Sequence, residues 1–199
     1  REKILTNILL NHFQVDSLDI KVILNPKDKR ERIETSLSCQ ADNIIIPLHE
    51  NAALSYENLI LRIDSTFIWP QKSTSYYTIK NCTYNAEEQS LAVNSLEMRQ
   101  SISETKYAQY FGWDKPYITL NVFKAIISGI PQNLKQLSDG INLTKITVLG
   151  LQAYLFKDKR LPHPTTPKPF PIEALSSLKF PVFIDEIEVI DGQLFYNEN

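Results

Sequence analysis

The chain has 199 residues, a formal net charge of −2, 43% apolar residues and 22% charged residues. A chain of this length can bury a core without help from disulfides or metals, and its balance of residues is not that of a disordered tail. A slightly acidic sequence gives nucleic acid no electrostatic footprint. Aliphatic runs such as Ile44-Ile45-Ile46 fall far short of the roughly 20 apolar residues that a membrane-spanning helix requires.

In chain order, Ile4, Leu5, Ile8 and Leu9 have helical spacing and predict a short N-terminal helix within residues 1–12. That stretch has no basic region followed by a continuous apolar run and a small-residue cleavage site. The chain is therefore expected to be a piece of something longer, with any export signal outside it. A strand follows from Val15 to Leu24, and then a mixed-charge turn from Asn25 to Arg32. Three strands are expected near 33–40, 43–48 and 54–69. In the last of these, Leu59, Leu61, Ile63, Phe67 and Trp69 alternate with polar residues.

Residues 76–84 and 90–100 read as a hairpin around Asn85 to Glu88. Its apolar parity shifts from Leu91 and Val93 to Leu96 and Met98, the mark of a β-bulge. Ser103 to Gly112 predicts a helix, with Ser103 as N-cap and Gly112 as stop. Residues 117–129 alternate again, with Ile118, Leu120, Val122 and Ile126 on one face. Pro131 to Asp139 suggests a second short helix, and 141–157 a long strand interrupted at Gly150. Five prolines between Leu161 and Pro171 make a stiff connector. A helix over 171–178 and a hairpin turning at Asp191-Gly192 close the chain.

The expected fold is therefore mainly β with short helices: a curved, mostly antiparallel sheet, half-pipe or sandwich-like, built from repeated hairpins. The chain reads as one β-rich segment with possible sub-repeats at 13–100, 101–160 and 171–199. Residues 146–150 resemble 187–191 at an offset of 41, and each block continues with Gln (152, 193) and an aromatic residue (154, 195). A fixed offset points to stacking in one direction.

No catalytic constellation emerges. His12, His49 and His163 have no partners at metal-ligand spacing, no nucleotide or nucleophile motif is present, and no cofactor or metal is implied. Glu186 and Glu188 share a strand face and read as edge charges. Cys39 and Cys82 could bridge in an oxidising compartment or remain small buried hydrophobes.

Several blocks occur in an order that resembles the large AsmA-like proteins of Gram-negative envelopes, especially the Bacteroidetes type. They are Lys106 to Gly112, the strand ending Ser128-Gly129-Ile130, Phe156 to Pro162, Phe180 to Asp185, and Asp191-Gly192 with Tyr196-Asn197-Glu198. The resemblance spans about residues 55–199. It implies a non-enzymatic periplasmic chain, with its parent anchored in the inner membrane, related to bridge-like lipid transfer proteins. It also implies an apolar half-pipe that contributes to lipid transport or outer-membrane homeostasis.

On that reading the candidate lipid groove is Leu59, Leu61, Ile63, Phe67, Ile118, Leu120 and Val122. Lys159 and Arg160 are candidates for binding a phosphate headgroup, set against a solvated turn in which Asp158 pairs locally. The partners would be a phospholipid or other acyl lipid and flanking segments of the same chain. A surface or secreted β-sandwich that binds protein or glycan through its aromatic loops is the competing expectation.

Overall fold

The computed structural model describes residues 7–28, 30–47, 55–131, 140–163 and 182–199. They form one open sheet of nine strands: β1 (Asn7–Ile23), β2 (Arg32–Pro47), β3 (Ser55–Trp69), β4 (Ser75–Asn85), β5 (Ser90–Gln100), β6 (Tyr117–Ser128), β7 (Ile141–Lys157), β8 (Val182–Ile190) and β9 (Gln193–Glu198). Neighbours in sequence are neighbours in space from β1 to β7, all antiparallel. The expected curved, mainly β architecture is what the chain adopts. Among the described residues no strand packs face to face on another. The substantial contacts are between ladder neighbours, apart from a light one between β6 and the helix α1 (Glu104–Phe111).

Several local expectations give way to long-range pairing. Residues 7–12 belong to β1, because Ile8 and Leu10 pair with Ile46 and Ile44; cross-strand partners override a short helical pattern. The expected strands 33–40 and 43–48 are one strand, β2. It continues through Asn43, whose left-handed φ of 47° absorbs an irregularity that would otherwise end it. Asp191-Gly192 is not a hairpin turn. Both β8 and β9 run parallel to β7, so the dipeptide interrupts a single line of chain. The helix expected at 131–139, apart from Pro131, the helix expected at 171–178 and most of the proline connector lie outside the described residues.

The offset of 41 has a structural meaning. Ile146 pairs with Ile187, Val148 with Val189, Gln152 with Gln193 and Tyr154 with Phe195, each 41 residues apart. The similar stretches thus lie side by side in register. Gly150 and Asp191, also 41 apart, both have left-handed φ, 62° and 55°.

Helix α1 ends as its sequence suggests. Gly112 has φ 67° and its N–H returns to the Ala108 carbonyl, while Ser103 takes the N-cap backbone conformation without a side-chain cap.

Candidate functional site

The ladder is interrupted along a line that crosses the sheet. The pair 64/81 is missing between β3 and β4, 81/94 between β4 and β5, and 123/150 between β6 and β7. The register shifts at Asp16-Ser17 in β1 and at Asp64 in β3. The same line passes Asp191-Gly192 between β8 and β9. Left-handed residues sit on it at Asn81 (φ 50°), Gly150 and Asp191. An extra residue in a strand bends it and reverses which face each later residue occupies. Here the bends align into a crease.

The reversal has a chemical result. Followed through the register, one face carries Leu18 and Ile20 of β1, Leu37 and Cys39 of β2, Leu61 and Ile63 of β3, and Ile79 and Cys82 of β4. It continues through Val93 and Leu96 of β5, Leu120, Val122 and Ala125 of β6, Val148 and Leu151 of β7, and Val189 and Leu194 at the far edge. Between the strand ends, its ladder-paired residues include no charged side chain. Of these, Cys82, Val93 and Val122 flank the crease and are buried; most of the rest are only half-buried, and Leu18, Ile20, Val189 and Leu194 are exposed. The hydroxyls of Thr35 and Thr66 on this face bond each other at 2.8 Å, so neither needs water.

The opposite face is polar. Glu34 receives Lys21 at 2.5 Å and Arg32 at 3.1 Å, while Lys145 reaches Glu186 at 2.8 Å and Glu188 at 2.9 Å. The partners hold Glu34 below its ordinary carboxyl range, through the Lys21 hydrogen bond first and Arg32 second. Lys145 is shifted upward by its hydrogen bonds to Glu186 and Glu188.

Of the groove residues expected from sequence, Leu59, Leu61, Ile63, Ile118, Leu120 and Val122 share the apolar face. Phe67 does not. The extra residue at Asp64 turns it to the polar face, opposite Glu34, where Arg32 lies 4.7 Å from its ring centroid and Trp69 and Tyr76 pack beside it. Ile126 likewise leaves the face of Ile118 to Val122, because the crease at Phe123 passes its place to Ala125 and Ile127. Sequence reading missed Ile79, Cys82, Leu91, Val93, Leu96 and Val148 as members of the apolar face. Their signal was present in the parity shift of β5 and in the asparagines that split alternating runs.

Cys39 and Cys82 are both free thiols on the apolar face, and burial pushes the Cys82 thiol above its ordinary value. Lys159 pairs with Glu198, and Arg160 holds Asp158 through two bonds of 2.8 and 2.6 Å. His12 contacts Asp42 at 2.7 Å and His163 contacts Asp114. Asp114 is 1% exposed and also pairs with Lys157 at 2.8 Å, which ties the loop after α1 to the end of β7. Among the described residues, no group of three or more His, Cys, Asp or Glu is placed to hold a metal. Among the described residues no helix is long and apolar enough to cross a membrane.

No family model, curated protein or solved structure matches the chain.

Proposed function

We propose that this chain is a non-enzymatic segment of an AsmA-like envelope protein. Its apolar face shields the acyl chains of lipids in the periplasm, with the parent protein anchored in the inner membrane. One observation carries the reading: a single apolar face crosses every strand, with no second layer on it among the described residues. A β-sandwich would spend such a face on a facing sheet.

The energetics favour an apolar guest. Burying one methylene contributes about 0.8 kcal/mol, so covering a long acyl chain is worth on the order of 10 kcal/mol. A surface whose ladder-paired residues between the strand ends carry no charge can collect that energy with little desolvation cost. Strands about 4.8 Å apart make eight strand positions roughly 34 Å wide, which suits a segment of a conduit and not a whole bridge between membranes.

The test is native mass spectrometry of the protein as isolated and after delipidation, paired with Leu61→Glu. Co-purifying lipid that the variant loses supports the conduit. A lipid-free protein together with a fully functional Leu61→Glu parent contradicts it.

A further inference from the structure

The two outer edges of the sheet match each other. Among the described residues β1 pairs only with β2, and β8 and β9 pair only with β7, so each edge has one side without a ladder. Six antiparallel steps lead from β1 to β7 and the last step is parallel, so β1, β7, β8 and β9 all run in the same direction. They also cross the crease in the same way. Val15 and Ile20, Val148 and Ala153, and Val189 and Leu194 each share the apolar face, although five residues separate the members of each pair. Uninterrupted alternation would put them on opposite faces.

We propose that copies of this chain join head to tail, with β1 of one copy lying parallel to β8 and β9 of the next. Setting Val15 beside Val189 and holding one offset along the edge places Phe13 beside Ile187 and Ile20 beside Leu194 on the apolar face, either side of the crease. On the polar face it places His12 beside Glu186. No residue changes face. It is the relation β7 already has with β8 and β9, which keeps one offset of 41 from Ile146-Ile187 through Tyr154-Phe195. Main-chain groups on the outer side of each strand supply the ladder, as in strand addition to a sheet edge.

The side chains brought together have surface to cover: Phe13 is 42% exposed, Ile20 39%, Ile187 63% and Leu194 68%. The far edge is a poor match for itself. It carries Asp185, Glu186, Glu188, Asp191 and Glu198, with no lysine or arginine between 182 and 198, and pairing two such strands sets acidic against acidic. Joining β1 to β1 closes a dimer and leaves the far edge uncovered. Joining unlike edges covers both and repeats without closing. The proposal follows from the edges alone and stands whether or not lipid occupies the apolar face.

The experiment is analytical ultracentrifugation of the 199-residue chain over a rising concentration series, with Phe13→Lys blocking one edge and Ile187→Lys the other. The unaltered chain is expected to form species that grow past the dimer. Each variant alone stays monomeric, since an edge lysine discourages strand addition. Mixed, the two variants form a dimer and nothing larger, because each keeps the edge the other has lost; that recovery also shows that both are folded. A second pair of variants reads the register with both edges intact. Gln14→Cys with Glu188→Cys, adjacent at the joint, gives a ladder of disulfide-linked multimers on oxidation, and Gln14→Cys with Gln193→Cys does not. A chain that remains monomeric throughout overturns the proposal and leaves the edges to flanking segments of a longer chain. A dimer that survives either lysine variant overturns it in favour of a symmetric pair of like edges. Failure of the first cysteine pair to crosslink, or equal crosslinking by both, overturns the joint itself.

Discussion

The two faces of this sheet are made from the same strands and differ in almost everything else. The polar face satisfies itself: Glu34 lies between Lys21 and Arg32, Lys145 between Glu186 and Glu188, and Arg32 covers Phe67. The apolar face has no internal partners of that kind, and most of its side chains are only half-buried. A face whose ladder-paired residues between the strand ends are uncharged, and largely apolar, is a surface that gains by being covered. The crease keeps the contrast clean. Without the extra residues, alternations such as those of β5, β6 and β7 would deliver Ser95, Lys124 and Gln152 to the apolar side halfway along.

The largest effect is expected from breaking the contrast on one strand. Val93→Asp puts a charge at a site 7% exposed beside the crease and should cost about 3 kcal/mol or more in chemical denaturation. Ser95→Asp, two residues away and opposite Lys80 on the polar face, should change stability by no more than about 0.5 kcal/mol. Comparable losses at both positions would erase the distinction between the faces.

The crease itself should be next in sensitivity. A Cβ on Gly150 would meet the Phe123 Cβ at 2.9 Å, and the residue has φ 62°. Gly150→Ala should therefore cost about 2 kcal/mol, read by thermal or urea unfolding.

A smaller, pH-dependent effect belongs to the corner where α1 meets the sheet end. The Lys157 hydrogen bond, with help from the His163 charge, holds the Asp114 carboxyl below its ordinary value of 3.8. The stability it contributes is complete above that value and is lost as pH falls through the lower folded value. Fluorescence of the adjacent Trp113 should report an acid step that Asp114→Asn removes.

The smallest effect is expected at the polar edge. Lys145→Gln should speed hydrogen exchange in residues 182–198 while leaving β2 to β5 unchanged, since exposed ion pairs steady an edge more than they stabilise a fold.

Much of the architecture was legible where its cause is local. The hairpin of β4 and β5 lies where a four-residue turn separates two alternating runs, and the shift between Val93 and Leu96 marked its bulge. Gly150 stood out as the interior glycine of a long strand. What could not be read depends on partners far along the chain. The bend at Asp64 is visible only when Ser36 and Leu37 are seen to pair with Ser65 and Ile63, and it moves Phe67 away from the groove assigned to it.

The pair Asp191-Gly192 carries the local chemistry of a turn, yet the parallel register with β7 keeps the chain running forward. Asparagines were the underused signal. Asn43, Asn58 and Asn81 all have left-handed φ inside strands, a conformation asparagine tolerates better than most residues.

The central claim, that one face is a lipid surface and the other is not, is tested most directly by photocrosslinking with an acyl lipid that carries a diazirine in its tail. Adducts confined to residues such as Cys39, Cys82, Leu96 and Val122, and absent from Thr78, Lys80 and Glu97, are what the account predicts. Adducts spread evenly over both faces, or found only on the polar one, would contradict it.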